Sequence, residues 1–386
     1  MSAAIGIVGM GSISALGNNR EAVWKAYQKP ASLIQYRTDL AAFVCELDRV
    51  GAQRISALQR TNKNYLALDR SVLLGMLAAE QAVNQAGWKT DSLYGINIGS
   101  SRGATEKFEK YHEAFTAGVG NKFSPLSSPT TTLGNLSYWV GNHLSQQGLH
   151  FDHSITCSSA LHSVLNGIAW LKSGLSEQFL VGGTEAPLTA FTLAQMKALR
   201  IYAKDSQVAF PCRSLDLEKT QNTMVLGEGA ACFALSKNLD NALAIIEGYG
   251  FASEKVSHHT AISKNGDSLF ESMQTAIQHI NQDEVDLVVC HSPGTCQGDL
   301  AERKAIQRLF GKNIPALTTN KWKIGHTLGA SGAMSMEMVI LMLQQQSLVA
   351  SPPWLSTAKT PEKLERILFN AIGFGGNAVS LLLRKN

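Results

Sequence analysis

The chain has 386 residues, 45% apolar and 17% charged, with 33 glycines. That composition excludes a disordered chain and is enough for two cores or one large double core. A formal charge of +4 without a basic block or basic–aromatic interleaving argues against nucleic acid. It stays compatible with an acidic carrier or an anionic substrate.

Residues 2–10 are apolar but lack a basic n-region, so they read as a first strand and not as a signal peptide. No apolar stretch reaches the ~20 residues of a membrane span. The run 334–343 is interrupted by Glu337 and followed by glutamines, as in a core helix. The six cysteines, at 45, 157, 212, 232, 290 and 296, show neither metal spacing nor a disulfide framework. Reduced thiols and a cytoplasmic location are expected.

Residues 5–8 predict the first strand, followed by a turn at Gly9-Met10-Gly11. A helix from about 19 to 27 comes next, capped by Asn18 or Asn19. Residues 65–86 read as a long helix stopped by Gly87. A strand over 94–99 ends in Gly99-Ser100-Ser101-Arg102-Gly103, and 130–144 reads as a helix. The strand 154–156 leads through Cys157 into a helix over 158–171, stopped near Gly174. The strand 178–181 ends in Gly182-Gly183-Thr184-Glu185. Gly227-Glu228-Gly229-Ala230 opens the strand 231–235.

A second unit starts with the strand 244–250 and the helix 269–280. The strand 285–290 ends in His291-Ser292-Pro293-Gly294-Thr295, before a helix over 299–309. The strand 316–318 leads to Asn320, Lys321 and His326, then a helix over 329–343. The strand 367–372 carries Gly373-Phe374-Gly375-Gly376-Asn377 and returns as the strand 378–383. Alternating strands and helices mean α/β with parallel or mixed sheets. The similar order of the two parts suggests a duplicated α/β unit. A linker between 236 and 241 has no Pro-rich or Gly-rich spacer, so the halves should pack as one body.

Ligands collect at the carboxyl ends of strands in open α/β sheets. Four such ends carry unusual groups: Cys157, His291, His326 and the turn with Phe374. A cysteine opening a helix meets free amides and a partial positive charge, which favour thiolate and can hold an oxyanion. A plain buried cysteine is the alternative. Two histidines offer two donors to a carbonyl oxygen that gains enolate charge; structural histidines are the alternative. Lys321 also reads as a solvated lysine and Phe374 as core. Asp299 reads as an N-cap, and Glu302 as a capping residue or a chemical one.

His258-His259 reads as a surface pair. His112, His143, His150, His153 and His162 show no partner in the sequence. Cys290-His291 with Cys296 comes nearest to a zinc site, but adjacent strand residues point to opposite faces.

Taken together in order, these motifs resemble the β-ketoacyl-(acyl-carrier-protein) synthases of the elongating type, members of the thiolase-fold condensing enzymes. The resemblance runs from Gly9-Met10-Gly11-Ser12-Ile13-Ser14-Ala15-Leu16-Gly17 through Thr156-Cys157-Ser158-Ser159-Ala160 and Gly182-Gly183-Thr184-Glu185. It continues through Leu226-Gly227-Glu228-Gly229-Ala230, His291…Thr295…Gly298-Asp299 and Lys321…Gly325-His326-Thr327-Leu328-Gly329-Ala330 to Gly373-Phe374-Gly375-Gly376. It implies a thiolase-like α/β fold of two similar halves in a layered α-β-α-β-α core. The halves would be 1–238, with the cysteine, and 239–386, with both histidines.

The resemblance also implies roles. Cys157 would carry the acyl chain as a thioester, and the amides of Cys157 and Phe374 would form the oxyanion hole. His291 and His326 would bind the malonyl thioester carbonyl and promote decarboxylation. Lys321 would orient His326 and tune local charge, with Glu302 in its network. Phe374 would gate acyl entry, and Thr295 would touch the phosphopantetheine arm. No metal or organic cofactor is implied. The implied partners are an acyl carrier protein and a second copy, or a cysteine-less homologue in a heterodimer.

The chain departs from the family pattern at Pro293, where an arm-binding threonine is usual, and at Trp322, where a small serine is usual. The segments 213–216 and 219–225 also differ. These departures suggest a divergent synthase for a specialised polyene or pigment chain. The rivals are a non-elongating acyltransferase or decarboxylase, a partner subunit, and a thioesterase.

Overall fold

The computed structural model describes residues 4–89, 92–118, 124–132, 135–204, 208–255, 262–355 and 360–386. Strand β1 spans Ile5–Ser14 and runs straight through Gly9-Met10-Gly11, so the expected turn there does not form. A Cβ on Gly9 would overlap the Ala82 carbonyl oxygen, and one on Gly11 that of Ala78. These glycines are flat spots on which a helix lies.

Helix α1 (Arg20–Gln28) is capped by Asn19, whose side chain accepts from the Ala22 amide. Three unanticipated elements follow: β2 (Gln35–Arg37), β3 (Ala42–Cys45) and α2 (Arg49–Thr61). The helix expected over 65–86 breaks at its start. Lys63–Ala67 is a 3-10 turn, Asp69 caps α3 (Arg70–Ala86), and Gly87 ends it at φ 65°. Then come β4 (Gly95–Gly99) and α4 (Thr105–Thr116). The helix expected over 130–144 is two, α5 (Ser127–Thr131) and α6 (Asn135–His143).

Strand β5 (His150–His153) lies just ahead of its expected place at 154–156. A 3-10 turn, Thr156–Ser158, leads into α7 (Ser159–Ser173). Strand β6 (Gln178–Glu185) carries on through the Gly-Gly-Thr-Glu run expected to end it. Helix α8 (Ala190–Ala198), β7 (Leu226–Gly227) and β8 (Gly229–Ser236) close this half. The second half runs β9 (Ala244–Ala252), α9 (Asp267–Ile277), β10 (Leu287–Val289), α10 (Cys296–Phe310) and β11 (Ala316–Thr318). It continues with α11 (Lys321–Ile324), α12 (Ser331–Gln345), β12 (Arg366–Ile372) and β13 (Ala378–Arg384). His258 and His259 lie outside the described residues.

The strand order is β1-β8-β6-β4-β5 in one half and β9-β13-β12-β10-β11 in the other. Each set has two antiparallel pairings followed by two parallel ones. The duplication suggested by the sequence is thus repeated strand for strand. The halves join where β1 pairs with β9, Ile5 opposite Ile246. Helix α3 packs on β1 and β8, and α9 on β9 and β13. Helices α7 and α12 touch each other, and α12 reaches both β12 and β8. They form the middle layer of a thiolase-like α-β-α-β-α stack. Every residue of α12 from Ser331 to Leu343 is buried, as a helix enclosed by two sheets must be. Among the described residues no helix is long and apolar enough to cross a membrane.

Gly9 and Gly87 separate two uses of glycine. Gly9→Ala drives a methyl into fixed backbone and should cost about 1–3 kcal/mol. Gly87→Ala meets open space and should cost about 1 kcal/mol, from its left-handed φ alone. Urea denaturation of both variants checks the order, and a Gly87→Ala loss as large as that of Gly9→Ala would contradict the packing account.

Candidate active site

Cys157 is buried in the 3-10 turn between β5 and α7. The Ser159 hydroxyl accepts from the Ile155 amide at 2.9 Å, which pins the turn. Thr156, just before the cysteine, takes φ 48°, the left-handed region. The turn after β12 lies against it. A Cβ on Gly373 would overlap Thr156 Oγ1 and lie 3.1 Å from the Cys157 amide nitrogen. Only glycine lets the Phe374 turn come this close. Gly375 and Gly376 take φ 83° and 71°, and the Gly376 amide donates to the Gly373 carbonyl at 3.1 Å.

His291 follows β10, and Glu302 of α10 holds it in place. The Glu302 carboxylate accepts from the His291 amide (2.8 Å), the Ser292 amide (2.7 Å), the Ser292 hydroxyl (2.9 Å) and Asn370 Nδ2 (3.0 Å). Glu302 therefore does not cap α10. Thr295 does, accepting from the Gly298 amide at 3.2 Å. Asp299 is likewise no cap. It lies inside the helix, and its carboxylate accepts from the Gly294 amide, the Leu215 amide and Lys219 Nζ at 2.7–3.0 Å. Lys219 and Asp299 are both buried.

His326 is fixed by backbone: its amide donates to the Val225 carbonyl at 2.7 Å, and its carbonyl accepts from Gly227 at 3.1 Å. Its ring centroid lies 5.1 Å from that of His291, the planes at 86°. The Nδ1 atom of each ring is buried without a protein partner. Burial holds His326 down to about 3, and the nearby Lys321 charge adds to this. Burial, His326 and Lys321 hold His291 well below the usual histidine range. Both rings are therefore neutral near pH 7. Lys321 is buried behind them and donates to Asn320 Oδ1 at 3.0 Å. Burial pushes it down to about 8, against the pull of Glu302.

Cys157, His291, His326, Thr295, Glu302 and Phe374 line one cavity of about 210 Å³. The fold thus brings these six expected residues together from separate stretches of the chain, with Lys321 buried outside the lining. Methionine, leucine and isoleucine side chains form most of its remaining wall, Met196 and Ile372 among them.

One expectation fails. The helix start was expected to favour thiolate, yet burial pushes the Cys157 thiol up to about 12, and the Glu185 carboxylate adds to this. Lys321 and the cysteine's own amide oppose the rise without cancelling it. The resting sulfur is a thiol, because desolvation outweighs the helix start.

Two contributors escaped the sequence reading, Lys219 and Glu185. The signal for Glu185 was its place at the end of an apolar strand, where an ionisable group needs donors. Two of the remaining histidines have partners. His143 Nδ1 meets the Tyr65 hydroxyl and His162 Nδ1 the Ser158 carbonyl, both at 3.1 Å.

Comparison with known proteins places the chain. Residues 2–241 match "Beta-ketoacyl synthase, N-terminal domain", and 243–354 match "Beta-ketoacyl synthase, C-terminal domain". The chain is 25% identical over 407 residues to "3-oxoacyl-[acyl-carrier-protein] synthase 2" of Staphylococcus aureus (strain COL), covering 98% of this chain and 97% of that protein. It is 26% identical over 370 residues to "Nodulation protein E" of Rhizobium leguminosarum bv. trifolii, covering 88% and 86%. Among solved structures, "The ishigamide ketosynthase/chain length factor" superposes with a TM-score of 0.84 at 21% identity over 100% of both chains. A β-ketoacyl synthase from Burkholderia phymatum STM815 gives 0.84 at 22% identity over 99% of both. With both family domains matched across most of its length, and the thiolase-like stack carrying a cysteine and two histidines in one cavity, the chain belongs to the β-ketoacyl synthase family.

Proposed function

We propose that this chain is a β-ketoacyl-(acyl-carrier-protein) synthase that condenses malonyl-carrier protein with an acyl group held on Cys157. The observation that carries the reading is a buried thiol facing two neutral imidazoles in one apolar cavity.

In the first step the Cys157 sulfur attacks the acyl thioester of the donor. A new S–C bond forms, the old one breaks, and the thiol proton passes to the departing thiolate of the arm. A neutral imidazole is suited to relay that proton. The amides of Cys157 and Phe374 would hold the tetrahedral oxyanion, a role supported by the close approach of Gly373 to Cys157.

In the second step malonyl thioester loses CO₂, and the C–C bonding pair becomes an enolate. The imidazoles of His291 and His326 would donate to its oxygen, where a dry pocket makes each bond count for more. The enolate carbon then attacks acyl-Cys157, a C–C bond forms, the thioester C–S bond breaks, and the departing thiolate takes a proton from water. Lys321 is a positioning residue in this reading: burial keeps His326 neutral, and the Lys321 charge adds to this. Thr295, on the cavity wall, would meet the arm. The chemistry calls for no metal or organic cofactor of its own. The division at 1–238 and 239–386 belongs to the same reading, supported by the repeated strand order.

Pro293 lines the cavity, and Trp322 is buried with its ring 6.0 Å from that of Phe210. Both departures support a specialised chain over general membrane lipid. A cytoplasmic homodimer is the simplest assembly. Strand β5 is the outer strand of the large sheet, and such an edge is a place where a neighbouring copy can pair. A heterodimer is the second reading, favoured by the likeness to a ketosynthase/chain length factor structure.

Two outcomes are expected. Intact-mass spectrometry with acyl-carrier and then malonyl-carrier proteins should show an acyl adduct on wild type, absent in Cys157→Ala, followed by a product two carbons longer. His326→Ala should still load acyl groups but elongate at least about 10²-fold more slowly. An adduct without elongation in wild type would favour the non-elongating rivals or a missing partner.

For the pH dependence, His326 is held low partly by Lys321, so wild-type decarboxylation should stay flat from about pH 5.5 to 7.5. In Lys321→Met, burial, the larger cause, still holds the imidazole down, so the profile should stay flat over the same range. A Lys321→Met rate that falls as pH drops through that range would overturn burial as the main cause. Sedimentation of the wild type should give a dimer at micromolar concentration, and a monomer would remove the pairing through β5.

A further inference from the structure

Glu185 closes β6 inside an apolar layer and is fully buried. Its carboxylate accepts four hydrogen bonds. Three come from the turn after β4: the Ser100 hydroxyl (2.9 Å), the Ser101 amide (2.7 Å) and the Arg102 amide (3.1 Å). The fourth comes from the Gly329 amide at 2.8 Å. Gly329 sits in the 3-10 turn Leu328–Ala330, which joins His326 to α12. A Cβ on Gly329 would overlap the Ser101 amide nitrogen, and one on Gly183 would lie 2.6 Å from the Ala160 methyl. So the turn after β4 and the His326 turn converge on one carboxylate, and the start of α7 packs on the same strand at Gly183. Cys157 lies just ahead of α7 and feels its charge.

We propose that Glu185 is a positioning residue of the Cys157 site, tying the turn after His326 to the turn after β4 and setting the electrostatic environment of the sulfur. What this serves rests on the synthase reading; the geometry does not. Glu185 is absent from the cavity lining around Cys157. The bonds fix Leu328, a wall of the cavity, and with it the chain leaving His326. The charge opposes thiolate formation, so the sulfur stays protonated and resists stray electrophiles.

The other groups near the sulfur are accounted for. Lys321 acts in the opposite sense and loses its proton only near 8. His291 and His326 stay neutral near pH 7. Burial holds His162 and His153 below the usual histidine range. Burial pushes Glu185 up to about 7, so its charge appears as pH rises through neutrality while Lys321 is still charged.

The test is alkylation of Cys157 by iodoacetamide, followed by peptide mass spectrometry at about pH 5.5 and about pH 7.5, below the Lys321 transition. The ratio of the two rates cancels any change in access. In Glu185→Gln no charge appears between the two pH values, so the ratio should rise about 3- to 10-fold over wild type. Glu185→Asp keeps the charge and should hold the wild-type ratio, while elongating more slowly because it cannot reach all four donors. In wild type itself the logarithm of the rate should rise by less than one per pH unit across neutrality, a measurement that needs no variant to fold. An unchanged ratio in Glu185→Gln, or a wild-type slope of one throughout, overturns the proposal. Alkylation ratios as expected in a protein that forms no β-ketoacyl product would sink the synthase reading and leave Glu185 in its role.

Discussion

Buried carboxylates that accept backbone amides hold this site together. The turns that carry the chemistry expose N–H groups to an apolar interior, and an unpaired buried amide is costly. Glu302 takes two amides of the His291 turn, Asp299 takes those of Gly294 and Leu215, and Glu185 takes those of Ser101, Arg102 and Gly329. Each acid converts a strained loop into a fixed one. Ser292, at φ 24°, sits inside such a clamp. Among the described residues, Asp299 alone of the three is paired with a lysine at hydrogen-bond distance. The hydrogen bonds to the other two come from neutral donors.

Duplication explains why the cysteine and one histidine meet. Cys157 follows β5 and enters α7 through a 3-10 turn, and His326 follows β11 and enters α12 through another. These strands hold equivalent places in the two halves. Because α7 and α12 pack together in the middle layer, their leading turns come together as well. His291 and Phe374 arrive from the neighbouring strands β10 and β12. One supersecondary unit, used twice, yields two different groups facing one space.

Much of this was legible in the sequence for a local reason. Cys157, His291, His326 and Phe374 each stand where an apolar run meets a glycine or helix signal, and such junctions are visible within a few residues. Long-range partnerships left no such trace. Lys219 meets Asp299 across 80 positions, and Gly329 meets Glu185 across 144. Glycine misled at Gly9 and Gly11, where it serves close approach, because hinge and flat spot share one letter. The state of the sulfur was misread because a helix start is local, whereas the desolvation that outweighs it comes from the whole fold.

The pairing of β1 with β9 has a consequence for solubility. A sheet edge is a row of unmet hydrogen-bonding groups that invites foreign strands. At the corner where Ile5 faces Ile246, each half occupies the other's inner edge, so that neither presents it to solvent. The duplicate acts there as a permanent, intramolecular shield against aggregation. Sequence change at the corner is constrained from both sides, since a residue of β1 that disfavours strand pairing would uncover β9 as well. The two copies are free to diverge in their turns, where the chemistry lies, but along this seam they must change together.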